Sequence, residues 1–570
     1  MEHHLNVMVG GEAGQGVQSV GFILAKTFAR GGYHVFADQD YESRVRGGHN
    51  FFRVRAQEPK VRAIAEPVDI LLAMNRESIE LHRAEVIDGG AIIFDGDNKD
   101  IGADGFNLFS VPLEKLAEEK GGNKVMANTV GLGAILGLVE YNFEILSQAL
   151  REQFGTSDTG EGNIKAARAG FEYIREHYKG AFKHFLDKTS ETKRMLITGN
   201  EAIALGAIAA GCKFMSAYPM TPASSIMEYL AAHDDEYGLV VVQAEDEIAA
   251  INMIIGAGYA GTRAMTATSG GGFSLMVEGL GLAGMTETPI VVINAQRPGP
   301  AIGLPTRTEQ GDLEFMLHAS HGEFPRAVLA PGTVEDCFWL TVKAFNLADK
   351  YQLPVILLTD QHLASSYTTV DKFDLSKVVI DRGQLLSEDE TNADYKRHRI
   401  TKSGISPRAF PGREGLLVVT DSDEHDEAGH LIEDADIRTQ MMQKRMRKMF
   451  SLKQEIDNPK IKGSKKADNL LIGWGSTFGA INEATELLNG EKYSVNHIHL
   501  NELWPFPTEA VNDAIGNSKH SYVIENNATG QLAHLIKAET GKDVSGHILK
   551  YSGRPFTPAE IVKQIKKEGC

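Results

Sequence analysis

Short apolar segments alternate with longer stretches of helical periodicity along most of this chain. Apolar runs of this length, separated by helical patterns, are typical of the buried strands of parallel sheets. The predicted strands are Leu5–Val9, Tyr33–Ala37, Val68–Met74, Ala91–Asp95, Phe214–Ala217, Leu239–Gln243, Ala264–Ala267, Ile290–Ala295, Arg326–Ala330, Val355–Asp360, Asn469–Trp474, Val495–Leu500 and Ser521–Glu525. The pattern therefore predicts an α/β protein with several, mostly parallel sheets.

Changes in this pattern divide the chain into domains. We predict α/β domains at residues 1–185, 194–375 and 465–570, and a loop-rich insertion followed by a helix at residues 381–462. The insertion differs in composition because it carries the acidic run Asp421–Glu427 and the basic run Gln443–Lys448. The length of 570 residues agrees with this division, since a domain has about 150 residues.

Composition and charge narrow the class of protein. Hydrophobic residues are 42% and charged residues 24% of the chain, as in ordinary globular proteins. The net charge of −18 argues against binding to nucleic acid or to an anionic membrane. The sequence has neither the basic start of a signal peptide nor an apolar run of about 18 residues. We therefore expect a cytoplasmic protein.

Cysteine usage limits the chemistry. The chain has only Cys212, Cys337 and Cys570, widely spaced and without a CxxC motif, which fits a reducing compartment. A [4Fe–4S] cluster normally takes four cysteine thiolates, so this chain cannot hold one alone. The run Asp423–Glu427 lacks a defined ligand spacing and is interpreted as an exposed acidic loop, so no metal site is predicted in this chain.

Two glycine-containing segments mark the N-terminal domain. Gly11–Gly16 has the order G-x-x-G-x-G, so neither the dinucleotide fingerprint nor a Walker A motif matches. What remains is a tight strand-to-helix turn, or a turn whose free N–H groups bind an anion. The second segment, Arg44–His49, combines two arginines with two glycines, which suits either a phosphate or carboxylate clamp or a domain contact.

The second domain carries polar or glycine-rich residues after successive predicted strands, where open α/β sheets bind ligands. These segments are Tyr218–Pro222, Gln243–Glu247, Ala267–Gly272 and Gln296–Asp312. Thr221 lies before a predicted helix and either caps it or contacts a ligand. Arg297 and Arg307 lie in a loop restrained by proline and glycine, which suits the recognition of an anion.

These segments resemble one family. Tyr218–Pro222 is similar to the YPITP motif of the 2-oxoacid:ferredoxin oxidoreductases. Further segments of this chain resemble the α subunit of that family, in the same order: Gln243–Glu245, Thr268–Phe273, Arg297–Asp312 and Glu525–Leu532. Two N-terminal segments, Gly10–Val17 and Arg46–Asn50, resemble the γ subunit of the family. The chain thus resembles a fused γ–α subunit of the 2-oxoglutarate type.

The resemblance implies a fold and a reaction. A thiamine diphosphate pyrimidine-binding domain would be followed by a transketolase C-terminal-like domain. A 2-oxoacid, coenzyme A and oxidised ferredoxin would give an acyl-CoA, CO2 and reduced ferredoxin. Mg2+, the diphosphate site and the [4Fe–4S] cluster would belong to a β subunit, in an (αβ)2 heterotetramer. The low cysteine count agrees with such a partner.

Site residues follow from the resemblance as expectations. Glu245 is expected to hydrogen-bond the pyrimidine N1′, with Glu247 as the rival because the register is uncertain. Thr221 and Arg297 are expected to bind the 2-oxoacid, and Arg307 to reach a distal carboxylate. The remaining cofactor contacts are Tyr218, Pro219, Gly270, Gly271 and Gly272, and the coenzyme A candidates are Gly14, Gly16, Arg44 and Arg46.

Other interpretations remain open from the sequence. Pyruvate or another 2-oxoacid could be the substrate. A nicotinamide dehydrogenase with tandem Rossmann units is disfavoured by the failed fingerprint. A non-redox thiamine decarboxylase and a non-catalytic scaffold subunit are the further alternatives.

Overall fold

A computed structural model describes residues 4–43, 47–96, 105–182, 186, 193–387, 394–464 and 466–568. The chain forms two compact units. The first comprises Met1–Thr198, Ser365–Phe373 and Thr557–Glu560, and the second comprises Gly199–Ala364, Asp374–Phe556 and Ile561–Cys570. No helix within the described ranges has the length and apolarity needed to cross a membrane.

Every strand predicted from the apolar segments is present, with small shifts at the ends. The strands are β1 His4–Glu12, β2 His34–Asp40, β3 His49–Gln57, β4 Val68–Ala73, β5 Val86–Phe94, β6 Asn107–Ser110, β7 Met195–Ile197, β8 Phe214–Ala217, β9 Val240–Gln243, β10 Ala264–Thr268, β11 Ile290–Gln296, β12 Ala327–Leu329, β13 Pro354–Asp360, β14 Tyr367–Val370, β15 Lys462–Gly463, β16 Asn469–Trp474, β17 Val495–Leu500, β18 Glu502–Trp504, β19 His520–Glu525 and β20 Gly546–Leu549.

Helices separate most of these strands, as the periodicity predicted. They are α1 Val17–Arg30, α2 Arg76–His82, α3 Leu113–Leu116, α4 Ala127–Leu138, α5 Phe143–Phe154, α6 Asp158–His177, α7 Gly199–Ala209, α8 Ser224–Ala232, α9 Asp234–Tyr237, α10 Glu247–Tyr259, α11 Gly270–Met285, α12 Leu313–His318, α13 Val334–Tyr351, α14 Gln361–Ser365, α15 Ala435–Glu455, α16 Phe478–Gly490, α17 Thr508–Gly516, α18 Gln531–Thr540 and α19 Pro558–Lys567.

The sheet of the first unit is mixed, whereas the sequence predicted a mostly parallel one. Its strand order is β6-β5-β4-β1-β3-β2-β14-β7. The pairs of β4 with β1 and β5, and of β5 with β6, are parallel, but β3 is antiparallel to both β1 and β2. The reason is the short connection between β2 and β3, which permits only a hairpin. The sequence prediction missed β3 because its start was interpreted as part of a ligand loop.

The second unit contains two sheets that share a core. The first has the order β18-β12-β13-β11-β10-β8-β9 and is parallel except for β18. The second has the order β15-β17-β16-β19-β20. Ile290 and Ile356 of the first sheet belong to the same buried cluster as Leu470 and Leu500 of the second. The two sheets therefore share one hydrophobic cluster, and a separate cluster that includes Leu471 and Ile481 packs on the second sheet.

The insertion is part of the second unit and packs closely within it, which changes the interpretation of its charged runs. Lys444 and Lys448 of α15 are fully buried and pair with the carboxylate of Glu287, which is also buried. His425 is fully buried and Glu424 pairs with Arg445 at 2.7 Å. The prediction of an exposed acidic loop at Asp423–Glu427 is thus wrong for its central residues, because oppositely charged side chains of α15 cover them.

Candidate active site

Four neighbouring strands of the second unit end at one edge of their sheet. The turn Tyr218–Pro222 follows β8, the run Glu245–Glu247 follows β9, and α11 begins at Gly270 directly after β10. Arg297 follows β11. Because β11, β10, β8 and β9 are adjacent and parallel, the sheet brings these segments to a common edge.

The turn after β8 is tied directly to the loop after β11. Nη1 of Arg297 donates a hydrogen bond to the backbone oxygen of Thr221, at 2.7 Å. Burial lowers the pKa of the Arg297 guanidinium, and the charge of Asp312 acts in the opposite direction. An arginine remains a cation under such a shift, so this edge carries one fixed positive charge beside Thr221.

The three acids after β9 have different environments. Glu245 is exposed, and Asp246 caps α10 by accepting a hydrogen bond from the backbone nitrogen of Ala249 at 2.7 Å. The side chain of Glu247 is buried, with 3% of its surface exposed. Its Oε1 has no hydrogen-bond partner within the described part of the chain. A buried carboxylate oxygen left without a partner is costly, which is typical of a group that receives a ligand.

Glu247 lies directly beneath the glycine run. A Cβ placed on Gly272 would lie 2.5 Å from Oε1 of Glu247 and 2.2 Å from Oγ1 of Thr268. A side chain at this position would overlap both groups, so tight packing favours glycine where α11 starts. The sequence carried a signal for this arrangement, because Glu247 shares one helical face with the buried residues Ile251 and Ile254.

A second carboxylate, the half-buried Asp312, supports the start of α11. Nδ2 of Asn294 donates to Oδ2 of Asp312 at 3.0 Å, and the backbone nitrogen of Asp312 donates to Oε1 of Gln296 at 3.0 Å. Burial raises the pKa of the Asp312 carboxyl. A Cβ on Gly270 would lie 2.5 Å from Oδ2 of Asp312, so that glycine too is fixed by packing. Sequence reasoning did not single out Asn294, although a polar residue inside an apolar strand was a signal.

Two of the expected residues lie farther towards the rim. Tyr218 is 39% exposed. Arg307 donates to the backbone oxygen of Thr306 at 3.2 Å, and the neighbouring Thr308 nitrogen donates to the Gly553 oxygen at 3.2 Å. This part of the loop therefore lies against the C-terminal sheet of the same unit.

The coenzyme A candidates belong to the first unit. Gly14 and Gly16 lie in the turn between β1 and α1 with φ of 98° and 71°, a conformation that favours glycine. A Cβ on Gly16 would lie 2.2 Å from Nδ2 of Asn128. Arg44 and Arg46 fall outside the described residues. Across the described ranges, no cluster of three or more His, Cys, Asp or Glu side chains is arranged to hold a metal ion.

Known families match three successive parts of the chain. Residues 205–444 match the family described as pyruvate flavodoxin/ferredoxin oxidoreductase, thiamine diphosphate-binding. Residues 6–173 match pyruvate ferredoxin/flavodoxin oxidoreductase, and residues 467–561 match pyruvate:ferredoxin oxidoreductase core domain II. The candidate active site lies within the first of these matches.

Full-length relatives decide the assignment. A 2-oxoacid:ferredoxin oxidoreductase subunit alpha of Sulfolobus is 34% identical, over 99% of this chain and 96% of the relative. The chain belongs to the 2-oxoacid:ferredoxin oxidoreductases. It is thus similar to the α subunit of an enzyme of several subunits, and the family predicted from the motifs is confirmed.

Two further comparisons refine this picture. A solved structure of 2-oxoglutarate:ferredoxin oxidoreductase from Magnetococcus marinus, with 2-oxoglutarate, coenzyme A and succinyl-CoA bound, is 34% identical and has a TM-score of 0.93 over 100% of both chains. The 2-oxoglutarate synthase subunit KorA of Methanothermobacter marburgensis is 32% identical over 66% of this chain and 99% of its own length. The predicted α/β fold class and the oxidoreductase class are confirmed.

Proposed function

We propose that this chain is the fused γ–α subunit of a 2-oxoglutarate:ferredoxin oxidoreductase. The reaction converts 2-oxoglutarate, coenzyme A and oxidised ferredoxin to succinyl-CoA, CO2 and reduced ferredoxin. The observation that carries the proposal is the edge where Arg297 meets Thr221 and the unpartnered Glu247 lies beneath Gly272. The full-length likeness to an enzyme solved with 2-oxoglutarate and succinyl-CoA supports this substrate over pyruvate.

The site fits the aminopyrimidine of thiamine diphosphate. When bound, this cofactor supplies the electron sink for decarboxylation. Glu247, rather than Glu245, is the residue that would hydrogen-bond the pyrimidine N1′, because its carboxylate is buried and Oε1 has no partner within the described ranges. Gly270, Gly271 and Gly272 would let the backbone approach the cofactor, with Tyr218 and Pro219 at the rim.

Substrate binding is assigned to the cation and the hydroxyl at the same edge. Arg297 would pair with the 2-oxoacid carboxylate and hold it for departure as CO2. The Thr221 hydroxyl would hydrogen-bond the substrate beside it. Arg307 would bind the distal carboxylate that distinguishes 2-oxoglutarate from pyruvate, and Gly14, Gly16, Arg44 and Arg46 would bind coenzyme A.

A partner subunit completes the proposal. We assign Mg2+, the cofactor diphosphate and the [4Fe–4S] cluster to a β subunit, in an (αβ)2 assembly that reduces ferredoxin in the cytoplasm. Exposed apolar side chains on the helices that follow the site's strands support a protein contact: Ile248, near the start of α10, and Leu275, in the second turn of α11, are each more than half exposed. Exposed apolar side chains beside polar residues are typical of an interaction surface.

Co-purification with the neighbouring subunit tests the proposal. The complex should reduce viologen only when both coenzyme A and a 2-oxoacid are present, and 2-oxoglutarate should give the highest kcat/KM of a 2-oxoacid panel. If pyruvate gave the highest kcat/KM, pyruvate would replace 2-oxoglutarate as the proposed substrate. Reduction of nicotinamide without viologen reduction would reject the proposal.

A further inference from the structure

Asn200, like Arg297, forms a hydrogen bond with the turn that carries Thr221. Nδ2 of Asn200 donates to the backbone oxygen of Pro222 at 2.8 Å and lies 2.8 Å from Oγ of Ser225. Because a carbonyl oxygen only accepts hydrogen bonds, the nitrogen of this amide must face Pro222. Asn200 is completely buried. The proposed function gives Asn200 no role in the reaction.

Two consecutive backbone oxygens of the turn are therefore fixed by side chains from separate elements. Arg297, after β11, holds the oxygen of Thr221, and Asn200, at the start of α7, holds that of Pro222. Together, these two hydrogen bonds fix the direction in which the Thr221 side chain leaves the backbone. A turn held at both carbonyls cannot rotate Thr221 without breaking a buried hydrogen bond.

Asn200 is itself held rigidly. A Cβ on the preceding Gly199 would lie 2.3 Å from the backbone oxygen of Leu363 and 3.3 Å from Sγ of Cys337, so the first residues of α7 pack directly on α13 and α14. Asn200 is the second residue of α7, and its amide is directed out of the helix towards the turn, which accounts for an Asn at this place.

We propose that Asn200 is a positioning residue, which aligns the Thr221 side chain for the 2-oxoacid. This inference rests on the proposed function of Thr221 and of Arg297 beside it. Asn200 touches neither substrate nor cofactor in this proposal and acts through the turn. Misplacement of a reacting group by about 1 Å costs on the order of 100-fold in rate. Loss of the hydrogen bond from Asn200 to the Pro222 oxygen should therefore lower kcat/KM.

The test is Asn200→Asp in the complex with the partner subunit. This substitution keeps size but replaces the donating nitrogen by an oxygen that faces the Pro222 carbonyl. The kcat/KM for 2-oxoglutarate should fall about 10- to 100-fold, while the KM for coenzyme A stays near the wild-type value. The matched control is Asn469→Asp, the same change at a buried Asn of β16 in the same unit. This control should keep the wild-type kcat/KM.

A double mutant separates positioning from general damage. If Asn200 acts through Thr221, Asn200→Asp combined with Thr221→Val should be no slower than Thr221→Val alone, within about threefold. Fully multiplicative losses, or an equal loss in Asn469→Asp, would overturn the inference. If Thr221→Val and Arg297→Lys keep the wild-type kcat/KM for every 2-oxoacid, the proposed function fails instead. Loss in those two variants with wild-type kinetics in Asn200→Asp rejects the positioning role alone.

Discussion

At the scale of single residues, one carboxylate distinguishes this site from an ordinary helix start. Within Glu245–Glu247, one acid is exposed, one caps α10, and one is buried. The sequence narrowed the proposed catalytic acid to Glu245 or Glu247 but could not choose between them. The choice depends on which residue begins α10, since a shift of one position rotates a side chain by about 100° around the helix.

We predict that Glu247→Gln lowers the kcat of the complex about 100- to 10,000-fold, because a neutral amide cannot replace a carboxylate in proton transfer at the cofactor. Glu245→Gln is the matched control, two residues away and exposed. Steady-state viologen reduction measures both. A larger loss in Glu245→Gln would return the role to that residue.

Arg307 gives a prediction about specificity. If Arg307 binds the distal carboxylate as proposed, its removal should cost about 1.5–3 kcal/mol, a loss of roughly 10- to 150-fold in kcat/KM for 2-oxoglutarate, and leave kcat/KM for pyruvate unaffected. The ratio of the two kcat/KM values in Arg307→Ala is the measurement. An unchanged ratio would show that another residue reads the distal carboxylate.

At the scale of elements, thirteen of the twenty described strands followed from the sequence, whereas the other strands and the pairing of neighbours did not. Apolar runs such as Ile290–Ala295 mark buried strands reliably because both faces are covered. By contrast, β3 alternates buried and half-buried residues and follows a glycine-rich turn, so it was missed. The burial of Lys444 on α15 was also unpredictable, because its counter-charge Glu287 lies 157 positions away in the chain.

The start of α11 provides a prediction at this scale. Gly272→Ala should lower the free energy of unfolding by about 1–3 kcal/mol, because its methyl group would overlap Thr268 and Glu247. Gly271→Ala is the matched control, since the closest atom to its new methyl lies 3.5 Å away, at the oxygen of Ala301. Denaturant unfolding of both variants is the measurement. Equal midpoints would contradict this account of the glycine run.

The cluster around Glu287 predicts acid sensitivity. Burial alone would raise the pKa of the Glu287 carboxyl, but Lys444, Lys448 and His398 lower it well below its usual range. Burial also lowers the pKa of His398 far below its ordinary value. Both folded pKa values are depressed, so the unfolded chain binds more protons and stability falls as pH drops below about 6.5. The urea midpoint should therefore decrease between pH 7.5 and pH 5.

The same cluster can be tested by substitution. Glu287→Gln should destabilise the protein by about 3–5 kcal/mol, because it leaves two buried lysines without a counter-charge. Asp468→Asn is the control, since Asp468 pairs with Lys519 at 3.1 Å and both side chains are more than half exposed. Similar losses in the free energy of unfolding of the two variants would mean that a buried ion pair contributes no more to stability here than an exposed one.

At the scale of the whole molecule, the three cysteines and the candidate site lead to one expectation. Cys212 and Cys337 are both buried in the second unit. Among the described residues, no group of three or more His, Cys, Asp or Glu side chains is arranged to hold a metal ion. We predict that the chain purified alone contains no iron, and that iron and viologen reduction appear together when the partner subunit is added. Iron in the isolated chain would contradict this expectation.

The strand β14 has a consequence for synthesis. It lies far along the chain from β2, yet it completes the first sheet by pairing with β2 and with β7. While the protein emerges from the ribosome, the N-terminal sheet ends at an open edge until residue 370 has been made. At roughly 5–20 residues per second, that wait lasts on the order of tens of seconds. Nascent chains of this protein therefore expose an unpaired strand for most of their translation, a period in which chaperones that bind extended segments would protect it.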